Sequence, residues 1–151
     1  MIPPDLARAV ATKADVALRP ASAEDLARLR ALGVPPSVVS FYERFEPAAC
    51  AEISDVRLWP IAEVVEENTD YVPGCDLHPR GFVVFATTVF GDAYCLDLNE
   101  PGPPVTLMSH EVLFSELGPD ELGAVRKVVA SSFDDFIRHF ASGGLDLEPL
   151  S

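Results

Sequence analysis

The stretch from Gly81 to Gly91, GFVVFATTVFG, constrains this chain more than any other. It is apolar, β-branched and strand-sized, far short of the roughly 18–20 residues of a membrane-spanning helix. Gly91-Asp92 then supplies a tight turn, and Tyr94 to Leu98 supplies a second arm. In that arm Tyr94, Leu96 and Leu98 alternate to one face, while Cys95 and Asp97 take the other. A first arm that is apolar on both faces belongs inside a sheet, so Phe82–Val89 is predicted as an interior strand paired to Tyr94–Leu98.

The flanking segments read mainly as helices. Pro3-Pro4-Asp5 opens a short alanine-rich helix, and Ser22 caps a second one carrying Leu26, Leu29 and Leu32 up to a stop at Gly33. Pro35-Pro36 starts a third, whose Val38, Phe41, Tyr42 and Phe45 recur at helical spacing. Ile53 to Leu58 is strand-like, Ile61 to Glu67 a short helix behind Pro60, and Asn68 to Pro79 a loop. Val105–Ser109 and Val112–Phe114 are expected as short strands around His110-Glu111. Gly118-Pro119-Asp120 opens a further helical region. Ser132-Phe133-Asp134-Asp135 forms a capping box for a last helix with Phe133, Phe136, Ile137 and Phe140 on one face. Helices, then an antiparallel meander interrupted by one helix, then a closing helix predict a single α+β domain. Its expected core is an antiparallel sheet of about four to six strands, flanked by N-terminal and C-terminal helices.

Charge narrows the classes of partner. The chain carries 24 acidic and 11 basic side chains, a formal charge of −13. All of the excess lies after residue 40, where the balance is −14. Such a surface repels phosphates, which argues against a nucleic-acid binder. The N-terminus lacks a basic and apolar secretory pattern, and Cys50, Cys75 and Cys95 have no paired spacing, so a reducing, cytoplasmic setting is expected.

No constellation of catalytic or ligating residues is complete. Cys75-Asp76-Leu77-His78 holds one thiol–imidazole pair without the second pair that structural zinc ordinarily needs. Ser109-His110-Glu111 has the residue types of a hydrolytic triad, but neighbours on a strand point to opposite faces. Asp92 suits a turn, and Asp92, Asp97 and Glu111 could pair carboxylates only in a cleft. The expectation is therefore no enzyme, no metal and no cofactor. The aromatics Phe41, Tyr42, Phe45, Trp59, Phe133, Phe136 and Phe140 are expected in the core.

The order of these segments resembles the SUKH superfamily, the Smi–Knr-type domain. The similarity rests on Leu32-Gly33-Val34-Pro35-Pro36 leading into Phe41-Tyr42-Glu43-Arg44-Phe45, and on Val56-Arg57-Leu58-Trp59-Pro60-Ile61. It rests further on the hairpin with Gly91-Asp92-Ala93-Tyr94-Cys95-Leu96-Asp97, and on Val105–Glu111 followed by Ala130–Ile137. The likeness divides the chain into an N-terminal helical extension at 1–29, the domain at 30–142 and a flexible tail at 143–151. Where family members often carry a Gly-Gly pair after the aromatic helix, this chain has Phe45-Glu46-Pro47-Ala48-Ala49-Cys50. The resemblance implies a non-enzymatic binding protein, either a bacterial immunity protein that neutralises a cognate toxin, often a nuclease, or a regulatory scaffold without a toxin partner. Glu63, Glu66, Glu67, Asp70 and Asp76, with Tyr71 beside them, then form either a solvated face or the surface that meets a basic toxin domain.

Overall fold

The computed structural model describes residues 1–113 and 118–150. Helix α1 (Pro4–Ala14) leads through a short strand β1 (Leu18–Arg19) to α2 (Ala23–Ala31) and α3 (Pro36–Phe45). Strand β2 (Glu46–Pro47) pairs with β1 in a separate two-stranded sheet. The main sheet holds β3 (Ala51–Ile53), β4 (Val56–Leu58), β5 (Phe82–Thr88), β6 (Ala93–Asp97), β7 (Val105–Met108) and β8 (Lys127–Ala130). These six lie in sequence order and every pairing is antiparallel. Helix α4 (Ile61–Thr69) and α5 (Gly74–Leu77) bridge β4 to β5; α6 (His110–Leu113) and α7 (Pro119–Val125) precede β8; α8 (Phe133–Ser142) closes the fold. The α+β architecture and the flanking helices are as expected.

Strand β5 lies between β4 and β6 with both faces covered. Val83, Phe85 and Ala86 join Tyr94, Leu96, Val105 and Leu107 in the larger core beneath α1, α3 and α8. Phe82 and Val84 join Ala93, Cys95, Met108, Leu77 and Leu122 in a smaller one on the other face. The alternation read from the second arm therefore holds. In β5 it is shifted by a bulge at Phe85, where two residues oppose one on β6. Phe85 packs edge-on against Phe136 at 4.8 Å and against Phe133 at 5.4 Å. Burial of these rings makes α8 the lid of the larger core. Ser132 caps α8 by accepting from the Asp135 N–H, and the Asp135 carboxylate returns a bond to Ser131 rather than to Ser132.

Several expectations are corrected. The β5–β6 connection is wider than Gly91-Asp92 alone: Gly91 takes φ of +94°, but Thr88 organises the turn, its Oγ1 accepting from the N–H groups of Phe90 and Asp92. Ile53–Leu58 is a hairpin and not one strand, because Ser54 and Asp55 both sit at positive φ (48° and 68°) and turn the chain within two residues. Residues 112–113 belong to helix α6; Phe114 lies outside the described residues. That helix starts where the Asp92 carboxylate, fixed by the distant hairpin, accepts from the His110 backbone N–H. The presumed loop at 68–79 contains the end of α4, helix α5 and the start of a 3-10 turn at His78–Arg80. Lys127–Ala130, not expected as a strand, forms β8 against β7. Phe45 and Trp59 are only half-buried, unlike the other core aromatics.

Both ends of the chain pack. Ile2 and Val10 are buried in the larger core, and α1 lies against β3 and α8. After Gly143 the backbone is anchored at Leu145, which is buried, and at Asp146, whose carbonyl accepts from the Tyr94 hydroxyl at 2.7 Å.

Candidate partner-binding groove

Helix α4 is held from its inner side by polar contacts to backbone. At its start, the Glu46 carboxylate accepts from the Ile61 N–H at 2.9 Å, and the Tyr42 hydroxyl donates to the Trp59 carbonyl at 2.7 Å. A carboxylate at a helix N-terminus satisfies one of the open N–H groups there. Glu46 is placed by the β1–β2 pairing, opposite Arg19. Burial, followed by the nearby Glu46 charge, pushes the Tyr42 hydroxyl far up, so it remains a donor.

At the other end, Asn68 is buried and its side-chain amide bonds three ways. Its Nδ2 donates to the carbonyls of Val64 and Val84 at 2.7 Å, and its Oδ1 accepts from the Val84 N–H at 2.9 Å. Strand β4 ends at Leu58, so at Val84 the flank of β5 has no strand to pair with. The Asn68 amide takes the place of that missing strand residue.

This mounting turns the opposite side of α4 outward. Glu63, Glu66 and Glu67 recur at the i, i+3, i+4 spacing that puts them on one face. Together with Tyr71 they line a groove of about 460 Å³, completed by Cys50, Arg57, Trp59 and Thr87. Four of the expected residues, Glu63, Glu66, Glu67 and Tyr71, thus meet in one place. Asp70 and Asp76 are exposed and lie outside that lining. Trp59 was read as core, yet it forms part of the groove; its signal in the sequence was the following Pro60, which ends β4 and turns the chain.

The electrostatics of the groove are one-sided. Arg57 is engaged by Glu52, its Nε donating at 2.9 Å, so it offsets Glu52 before it offsets the α4 carboxylates. Half-buried Glu67 is held above the usual carboxylate range by desolvation, offset by a long 3.4 Å bond from the Gly74 N–H. Burial and then the Glu63 charge push the Cys50 thiol up, which keeps it protonated and a poor nucleophile. The arrangement suits attraction of a cationic group to a surface with two accessible aromatic side chains.

The other polar constellations have structural partners. His110 Nδ1 lies 2.8 Å from the Asp92 carboxylate that also caps α6, and Ser109 is buried. Asp97, wholly buried, is ion-paired with Arg126 and accepts from the Asn99 N–H. His78 Nε2 lies 2.9 Å from the Leu32 carbonyl. Among the described residues no group of His, Cys, Asp and Glu side chains is placed to hold a metal ion, and no helix is long and apolar enough to cross a membrane.

The family model of the SMI1/KNR4 family (SUKH-1) matches residues 20–139. The chain belongs to this family. The matched span begins before α2 and ends within α8, so it takes in the whole main sheet and every groove residue. Helix α1 lies ahead of that span and packs against β3 and α8. No curated protein matches the chain.

Proposed function

We propose that this SUKH-1 protein is a non-catalytic immunity-type protein that neutralises a toxin by binding it directly. Its acidic face is built on Glu63, Glu66, Glu67, Asp70, Tyr71 and Asp76, and the partner is a basic, nuclease-like toxin domain. The observation that carries this reading is the alignment of three α4 glutamates along one groove, in a chain whose net charge is already −13. A solvating surface needs charge but no concavity and no exposed aromatic beside it; Tyr71 is 57% exposed. Charge complementarity raises association from about 10⁵–10⁶ toward 10⁸ M⁻¹s⁻¹, and desolvated aromatic contacts then slow release.

The test looks first for a basic, nuclease-like protein encoded beside this chain. Its expression should arrest growth, and co-expression of the wild-type chain should relieve the arrest. A variant with Glu66, Glu67 and Asp70 changed to Lys should associate much more slowly at low salt. Most of that difference should vanish near 1 M salt, where the Debye length is about 3 Å. Equal rates at low salt for a correctly folded triple variant would remove the acidic face from the interaction.

A further inference from the structure

We propose that the groove between α4 and the β4–β5 end of the sheet takes one arginine side chain from an extended segment of a basic protein partner, laid over Trp59. This rests on the basic-partner reading above and adds the group that is recognised. The groove is large enough for a side chain together with its local backbone, at about 460 Å³. Its acidic wall runs along little more than one turn of α4, and among the described residues no carboxylates converge as metal ligands do. A broad cation that bridges several carboxylates fits such a wall better than a single ion.

The aromatic component selects the guanidinium. Trp59 is half-buried, so one part of the ring is held by the fold while another lines the groove. The exposed Tyr71 lines it as well. A guanidinium stacks on such rings, is weakly hydrated, and presents paired donors to carboxylates; a lysine ammonium does the last only as a point charge. Arg57 does not fill this role internally, because its guanidinium is turned to Glu52. Glu67 supports the same occupant: it is half-buried with one long hydrogen bond, so an incoming cation relieves a charge that burial disfavours.

Trp59 is the chain's single tryptophan, so its fluorescence reports directly on the groove. The probe is a blocked, extended hexapeptide with one central arginine in a Gly-Ser background, titrated at low salt. Matched peptides carry citrulline or lysine in its place. Trp59 emission should change saturably with the arginine peptide, and about tenfold less tightly with citrulline, which keeps the shape and loses the charge. Lysine should fall between them. Glu66→Gln with Glu67→Gln should weaken the arginine peptide about fivefold or more, whereas Arg57→Gln, which removes a like charge from the rim, should tighten it. A purely structural role for these residues would not produce changes in opposite directions.

Amide spectra from the same titration separate this inference from the one beneath it. Shifts at Asp70 and Asp76 without a Trp59 response would overturn the groove and leave the acidic face standing. No shift on α4, at Asp70 or at Asp76 would overturn both. Citrulline or lysine binding as tightly as arginine would also overturn the proposal.

Discussion

Replacing Asn68 by Leu tests whether α4 is mounted as described. The substitution keeps the branched shape, with bulkier methyl ends, and removes a buried amide that makes three hydrogen bonds. Its main cost is not the bonds themselves, since each nets only about 1 kcal/mol. The larger penalty falls on Val84, whose N–H and carbonyl would be left facing an apolar side chain in the middle of the sheet. An unsatisfied buried polar group costs about 1–3 kcal/mol, so two give roughly 2–6 kcal/mol, partly offset by the added apolar burial. The expected loss is about 3–4 kcal/mol, a large share of the roughly 5–15 kcal/mol available to a domain. Urea unfolding followed by circular dichroism and by Trp59 fluorescence measures it. The Trp59 signal should also shift in native buffer, because the helix that walls the groove loses its inner anchor. Asn68→Asp gives the complementary case. A buried carboxylate can accept from the Val84 N–H, but when ionised it cannot donate to either carbonyl. Burial raises the pKa of such a carboxyl, so stability is retained below the unfolded value near 3.9 and lost as pH rises through the folded value. A loss for Asn68→Leu of under about 1 kcal/mol would refute the strand-replacement argument.

Gly74→Ala would put a Cβ 2.3 Å from the Glu67 carbonyl oxygen, so α5 must move away from α4; a loss of about 1–3 kcal/mol in urea melts is expected, with altered Trp59 emission. Asp97→Ala should cost about 2–4 kcal/mol, because Asp97 is wholly buried against Arg126 and the Asn99 N–H, and Asp97→Asn should recover part of it. Burial raises the Glu67 carboxyl, so its ionisation costs stability: the folded state is favoured below the unfolded value near 4.3, and that advantage is lost as pH rises through the folded value. Glu67→Gln should therefore be more stable than wild type at neutral pH, the difference shrinking toward pH 4 in paired urea titrations. Deleting residues 145–151 should cost about 2–3 kcal/mol in the same assay, since Leu145 is buried and the Tyr94 hydroxyl donates to Asp146.

The parts of the fold that could be read from sequence are those decided within a few residues. The β5–β6 arms announce themselves by alternation, and Ser22 and Ser132 cap their helices as their spacing predicts. What escaped depends on distant partners. His110 begins a helix because Asp92, in the β5–β6 connection, reaches its N–H. Lys127–Ala130 is too short and too half-exposed to declare itself a strand until β7 pairs with it. The acidic wall was visible as a charge run, because i, i+3, i+4 spacing is local. Its concavity was not, since Trp59, Cys50 and Thr87 come to it from three other segments. Glu46 gave no signal at all: its role requires Tyr42, Trp59 and the β1–β2 pairing to exist first.

The contacts that hold α4 have a bearing on how such a protein can change. Beside the buried Ile61 and Val64 side chains, its polar contacts all end on main-chain atoms: the Ile61 N–H, the Trp59 carbonyl, and the Val64 and Val84 peptide groups. Main-chain atoms are the same whatever side chain they bear. Positions 63, 66 and 70 take no part in that attachment, so their identities can drift without loosening the helix. A lineage pressed to follow an altered antagonist could therefore rewrite the outward lettering of α4 one residue at a time, each intermediate still folding. The same economy would let an engineer exchange the outer residues for a different charge pattern and keep Asn68 and Glu46 as the fixed frame.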